Sequence, residues 1–196
     1  MKQLFILAIA LLTLSPKAFT QKKATTKSAG AARKTTAVIT PVNDSEVHWL
    51  TLDEAQAAMK KEPRKVWIDV YTGWCGWCKV MDKKTFSNPS VARYLNDHFY
   101  AIRFDAEQKD SISFLGKRYG TSEDGRANQL AVELLKGELR YPTSVYMEPN
   151  FQVVMPPIPN YLDVPTIEMI LKYLAEDKYK TTPFDQYQKD FKASWN

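Results

Sequence analysis

Cysteine and histidine are scarce in this chain, with two of each among 196 residues. A framework of several disulfides is thereby excluded. A structural zinc site takes four ligands and would need both cysteines and both histidines, yet His48 and His98 have no ligand-like spacing. Glycine is sparse, at seven residues, and no glycine-rich loop of the phosphate-binding kind occurs. No internal repeat is visible. No apolar run reaches the ~18 residues or more of a membrane-spanning helix. Most of the chain also lacks an excess of either charge. The formal net charge is +5, but seven of the 27 Lys and Arg and one of the 22 Asp and Glu precede Ser45, which leaves 20 basic residues against 21 acidic ones. The positive charge thus belongs to the beginning of the chain, and the body shows no basic surface for nucleic acid.

What is present begins with an export pattern. Lys2 is a charged start, Leu4 to Leu14 an apolar run of signal-peptide length, and Ala18-Phe19-Thr20 offers the small residues of a cleavage site before Gln21. An uncleaved anchor is the alternative. No cysteine follows the run, which argues against lipoprotein attachment. The expectation is a periplasmic or secreted protein with no stable membrane insertion after cleavage. Disulfide chemistry is permitted in such a compartment. Residues 1–20 are then a signal peptide and 21–45 a flexible linker rich in Lys, Ala and Thr. Residues 46–177 form the main domain, and 178–196 a C-terminal helical extension.

With 44% hydrophobic residues the chain can bury a sizeable core. Thr51 to Glu54 has the form of a capping box and opens a helix to about Lys61, ended by Pro63. "KVWIDVY" (Lys65 to Tyr71) and "FYAIRFD" (Phe99 to Asp105) read as strands. A helix runs from the cysteines to about Lys84, and Ser87-Asn88-Pro89 starts another. Ser111 to Tyr119 suggests a hairpin turning at Gly116-Lys117, and Asn128 to Lys136 a helix closed by Gly137. Thr143 to Met147 and Phe151 to Met155 are expected as an antiparallel pair around Glu148-Pro149-Asn150. Asp163 to about Glu176 is an amphipathic helix. Phe184, Tyr187 and Phe191 at helical spacing suggest a short docked helix. The order indicates an α/β fold with a central mixed sheet.

Both cysteines fall in "TGWCGWCK", as Cys75 and Cys78. A zinc clamp lacks ligands. A structural staple over two intervening residues closes so small a loop that it restrains the unfolded chain little. A redox dithiol fits best. At a helix start, the first sulfur meets unpaired amides and the positive end of the helix dipole, which favours the thiolate. The second sulfur, one turn on, can resolve a mixed disulfide. Lys79, Lys83 and Lys84 add positive charge nearby, with a solvated polar face as the equal alternative.

"VWIDVYTGWCGWCK" together with "YPT" at Tyr141 to Thr143 resembles the thioredoxin superfamily, above all the thioredoxin-like domains of exported bacterial proteins. "CKVMDKKTFSNPSVARYL" (Cys78 to Leu95) resembles the C-terminal domain of the periplasmic thiol-disulfide electron transporter. The resemblance spans about Val47 to Ala175. It implies a thioredoxin-like three-layer α/β fold with a central mixed β-sheet, an inserted hairpin and the C-terminal extension. Carried over residue by residue, Cys75 is the exposed nucleophile, Cys78 the buried resolving thiol, and Asp69 the buried acid that handles the Cys78 proton, with a strand-end Asp bonded to backbone as the alternative for Asp69. Pro142 follows a cis bond beside the dithiol. Trp74, Gly76, Trp77, Tyr141 and Thr143 form the substrate surface, with the Tyr141 backbone pairing with an extended segment. The implied activity is disulfide exchange on protein disulfides with no cofactor or metal beyond the Cys75–Cys78 pair, fed by a membrane thiol electron donor.

The chain departs from the usual motif by carrying Trp77 where proline is common. The segment 107–127 is an insertion, and its hairpin is expected to border the site and restrict access. Without a histidine between the cysteines, the reading leans to a reductase over an oxidase or isomerase. A redox-inactive peptide-binding or chaperone-like module is the alternative from another class.

Overall fold

The computed structural model describes residues 44–195. The expected signal peptide and the linker up to residue 43 lie outside the described residues.

Four strands form the central sheet, in the order Phe99–Asp105 (β2), Lys65–Tyr71 (β1), Thr143–Met147 (β5) and Ile158–Pro159 (β6). β1 (Lys65–Tyr71) runs parallel to β2 (Phe99–Asp105), from Lys65 opposite Phe99 to Tyr71 opposite Asp105. On its other side it runs antiparallel to β5 (Thr143–Met147). Being central, β1 is covered on both faces, which is why "VWIDV" is buried without a break. Side chains alternate along a strand. Val66, Ile68 and Val70 enter one core with α1 (Leu52–Met59), α4 (Gln129–Leu134) and the hairpin. Trp67 enters the other, with α2 (Gly76–Met81), α3 (Pro89–His98) and α5 (Val164–Ala175). Asp69 therefore faces the α2 side. The strand registers put Arg103 and Ser144 directly beside it, one on each neighbouring strand.

Local chemistry accounts for the helix starts. Thr51 Oγ1 accepts the Glu54 N–H at 3.2 Å while Glu54 Oε2 accepts the Thr51 N–H at 2.8 Å. Asn88 caps α3 with Pro89 in the first turn, and Asp163 caps α5 by accepting the Thr166 N–H at 3.0 Å. The single α-helix expected from the cysteines to about Lys84 instead changes pitch. α2 runs into a π turn, Asp82–Phe86, closed by Ser87 N–H to Asp82 O at 3.1 Å.

The hairpin is β3 (Ile112–Phe114) and β4 (Lys117–Tyr119), and it turns at Leu115-Gly116, both left-handed at φ 51° and 79°. It sits on α1. Gln56 donates to Ser113 O at 3.0 Å and accepts from Leu115 N–H at 2.9 Å. Of the insertion 107–127, the flanking residues Glu107, Lys109, Gly125 and Arg126 line a cleft with Trp74 and Tyr141.

The strand expected over Phe151 to Met155 is not formed. A single bridge joins Met147 to Val153. The ladder resumes only at β6 (Ile158–Pro159), where Ser144 meets Ile158. Residues 154–157 thus lie opposite 145–146. Pro156 and Pro157 have no N–H to give the ladder, so the arm bulges there.

A 3₁₀ turn (Lys178–Lys180) precedes α6 (Phe184–Asp190). Tyr173 of α5 holds this extension, with ring centroids 5.3 Å from Phe184 and 4.9 Å from Tyr187. The whole is an α/β thioredoxin-like fold with a mixed central sheet, a two-strand hairpin insertion and C-terminal helices.

Candidate active site

β1 ends at Tyr71, and a turn closed by Cys75 N–H to Thr72 O at 3.1 Å delivers the chain to α2. Cys75 is the N-cap of that helix. It is disulfide-bonded to Cys78, with Cα atoms 5.3 Å apart. Its Sγ also accepts the Cys78 N–H at 3.1 Å. The first sulfur thus occupies the place where helix amides lack backbone partners. One expectation needs correcting. Cys75 was to be exposed, yet both cysteines are 3% exposed. In the disulfide state its sulfur is turned inward onto Cys78 and the Cys78 amide. The neighbouring indoles stand out instead, Trp74 at 67% and Trp77 at 62%, with exposed Gly76 between them.

Tyr141–Pro142 is a cis peptide bond. Pro142 is buried, and its carbonyl accepts the Asn160 N–H at 2.9 Å. Trp74 meets Tyr141 edge-on at 6.0 Å between centroids, and Trp77 tilts against Tyr161 at 5.6 Å. Two surface clefts result. One of about 390 Å³ is walled by Trp74, Tyr141, Glu107 and Lys109, and one of about 270 Å³ by Trp77, Tyr161, Pro142 and Asn160. Thr143 does not join this surface as expected. It is 3% exposed, and its hydroxyl donates to Arg140 O at 2.8 Å, inside the loop. Lys79, Lys83 and Lys84 are exposed, and His98 lies against Tyr94 at 4.2 Å.

Asp69 is 1% exposed. Burial pushes its carboxyl up to about 7, against the pull of Arg103 and with the help of the Asp82 charge. The acid has a charge partner on the neighbouring strand. Arg103 Nε lies 3.3 Å from Asp69 Oδ2, without hydrogen-bond alignment. Arg103 Nη2 hydrogen-bonds Asp82 Oδ2 at 2.8 Å. The guanidinium is clamped between the rings of Tyr71 and Trp49, at 4.6 and 5.3 Å. Asp69 Oδ1, Thr72 Oγ1 and Ser144 Oγ are buried with no hydrogen-bond partner among the described residues.

Sequence reasoning passed over Arg103 and Asp82, although signals existed. Arg103 is the one basic residue of "FYAIRFD", and Asp82 follows Cys78 by four residues, on the same helix face. Glu107, Asn160 and Tyr161 lie far from the motif in sequence and gave no local signal.

A family model named Thioredox_DsbH, described as a protein of unknown function, DUF255, matches residues 31–183. The chain belongs to this family. The Thiol:disulfide interchange protein DsbD of Pectobacterium atrosepticum is 33% identical over 67 residues, covering 30% of this chain and 12% of that protein. Uncharacterized protein B0495.5 of Caenorhabditis elegans is 27% identical over 101 residues, covering 52% of this chain and again 12% of that protein. The chain thus spans about an eighth of the length of these relatives. A thioredoxin-fold protein from Helicobacter pylori superposes with a TM-score of 0.51 at 12% identity, over 70% of this chain and 91% of that one. At that identity the likeness speaks for the fold. The Thioredox_DsbH chain thus carries a closely spaced, disulfide-bonded cysteine pair on a thioredoxin fold, consistent with a redox-active site.

Proposed function

We propose that this Thioredox_DsbH protein is an exported thiol-disulfide oxidoreductase that reduces protein disulfides through Cys75 and Cys78. One arrangement carries the reading: the disulfide-bonded Cys75 caps α2, the Tyr141–Pro142 loop shares its surface through Trp74 and Trp77, and a buried acid lies on the α2 face of the sheet. The name of the Pectobacterium relative, a thiol:disulfide interchange protein, points to the same chemistry.

In the reduced enzyme the Cys75 thiolate attacks one sulfur of a substrate disulfide. A mixed disulfide forms, and the other substrate sulfur leaves as a thiolate that takes a proton from solvent. Cys78 then gives its proton to the Asp69 carboxylate and attacks Cys75 Sγ. The second substrate thiolate leaves, and the Cys75–Cys78 disulfide closes. Two electrons pass from enzyme to substrate. A thiol donor, on this reading a membrane-bound one, restores the dithiol. Tyr141 contributes backbone groups that no hydrogen bond among the described residues occupies, and these suit pairing with an extended substrate. Trp74, Trp77 and Gly76 border that strand.

The direction rests on the residues between the cysteines. Gly76-Trp77 brings no cation to stabilise the reduced thiolate, the device of a strong oxidant. Measuring the reduction potential of the pair tests this. A reductase sits near the thioredoxin value, roughly −270 mV, and an oxidase nearer −120 mV. Export is tested by mass spectrometry of the mature protein, which should begin at or near Gln21. A second reading, a peptide-binding module without redox turnover, draws on the exposure of Trp74 and Trp77. It predicts an ordinary Cys75 thiol in an alkylation titration against pH.

A further inference from the structure

Arg103 serves no purpose in the steps above, yet it is held by two carboxylates and two rings. It lies across from Asp69 in the β1–β2 register, hydrogen-bonds Asp82 on the π turn after Cys78, and is gripped by two aromatic rings. We propose that Arg103 is the positioning residue of the resolving step: held off by Asp82, it orients Asp69 through one oxygen and leaves the other free to take the Cys78 proton. The inference rests on the role of Asp69 proposed above.

The geometry carries it. An arginine that met Asp69 with two aligned N–H groups would bind both carboxylate oxygens strongly. That would lock the acid as an anion with little affinity for a proton. Here Nη2 is committed to Asp82, and only Nε approaches Asp69, at 3.3 Å and out of line. The contact is close enough to fix Oδ2 and too weak to saturate the carboxylate. Oδ1, buried and without a hydrogen-bond partner among the described residues, is the atom this assignment leaves to take the proton.

Among the described residues, the groups around Asp69 are few. Arg103 approaches from β2 and Asp82 from the helix above. Tyr71 lies two residues on along β1 with its ring against the guanidinium, and β5 contributes the neutral Ser144. Asp69 and Asp82 repel one another, and Arg103 stands between them. The consequence for proton affinity follows in sign. Loss of the Arg103 charge makes the Asp69 proton harder to remove. Loss of the Asp82 charge makes it easier, both by ending repulsion and by releasing Nη2 toward Asp69.

The test is a single-turnover measurement of resolution in the full chain. The mixed disulfide of Cys75 with a small aromatic thiol is the probe, and thiol release is followed from about pH 5 to about pH 9. Wild type should show an acid limb where Asp69 gains its proton. Arg103→Gln should move the midpoint up by about one pH unit, with resolution roughly tenfold slower below it. Asp82→Asn should move it down, and Arg103→Lys should bring it back toward wild type. A residue that merely supports the fold would not shift the midpoint in opposite directions. If Arg103→Gln does not fold, the downward shift in Asp82→Asn together with a limb near wild type in Arg103→Lys upholds the assignment. A limb that survives in Asp69→Asn removes the proposed base and this assignment with it. A limb that vanishes in Asp69→Asn, yet stays at the wild-type midpoint in both Arg103→Gln and Asp82→Asn, overturns the role of Arg103 alone.

Discussion

The indole N–H of Trp74 donates to Glu107 Oε1 at 2.9 Å. An exposed tryptophan next to the candidate nucleophile is thereby held edge-on to Tyr141 rather than left to sample rotamers. A wall set in advance lowers the ordering cost of binding an extended chain. Trp74→Ala should raise KM for a disulfide-bonded peptide by about five- to tenfold, the order of one lost aromatic contact, with kcat nearly unchanged. Glu107→Ala should give a smaller rise by loosening the same ring. A fall in kcat at constant KM would instead assign Trp74 to the chemical step.

The two cysteines should separate cleanly. Cys75→Ser should abolish disulfide reduction in an insulin assay, since no second nucleophile is at hand. Cys78→Ser should accumulate mixed disulfides with substrate proteins, visible on non-reducing gels and lost on adding dithiothreitol. Substantial turnover in Cys75→Ser would overturn the mechanism.

Much of this was legible from local sequence. β1 and β2 carry runs of β-branched and aromatic residues bounded by turn signals, and their limits agree with those read beforehand. The helix starts at Thr51, Asn88 and Asp163 were readable because a cap is a contact between near neighbours. The misplaced edge strand shows the limit. Phe151 to Met155 looks like a strand by composition, but Phe151 sits left-handed at φ 60° in a tight turn. Its ring packs edge-on to Phe114, 5.3 Å away. Pairing then had to wait until the prolines were passed. The Asp69 environment fails for a related reason. Nothing local to "VWIDVY" says which residue of β2 will stand beside Asp69, because that depends on a parallel register set some 30 residues away.

Stability should carry the mark of Asp69. Its carboxyl titrates at about 7 in the fold against an ordinary 3.8. Between those values the folded state holds a proton that the unfolded chain has released, so stability falls as pH rises from about 4 to about 7 and is level above. The upper bound of that loss is about 4 kcal/mol. Asp69→Asn carries no such cost, though it deprives Arg103 of one of its two carboxylates. The variant should therefore melt above wild type at about pH 8, with the gap closing toward pH 4. A gap independent of pH would mean that Asp69 ionises in the fold as it does in the open chain.

Glu168 should show the opposite sign at the other end of the chain. It is fully buried on α5, and its carboxylate gathers the last described residues. Oε2 accepts the N–H groups of Ser194 and Trp195 at 2.8 and 2.9 Å, and Oε1 accepts the Ser194 hydroxyl and Lys172 Nζ, each at 2.6 Å. Burial alone would push the carboxyl up, but these four donors outweigh it and hold it at about 2. A depressed acid stabilises the fold above its unfolded pKa, and that stabilisation is lost as pH falls from about 4.5 to about 2, with an upper bound near 3 kcal/mol. Glu168→Gln turns one acceptor into a donor that faces other donors, so part of the tail must leave. The expected cost is about 2 kcal/mol at neutral pH, read from urea midpoints, and it should shrink toward pH 2 as the wild-type carboxyl itself takes a proton. Amide exchange at Ser194 and Trp195 should rise with it, while exchange along β1 stays slow, because the tail packs on α5 and Tyr94 rather than on the sheet. Unchanged protection at those two amides would mean that the aromatic contact of Trp195 with Tyr94 holds the tail without the carboxylate.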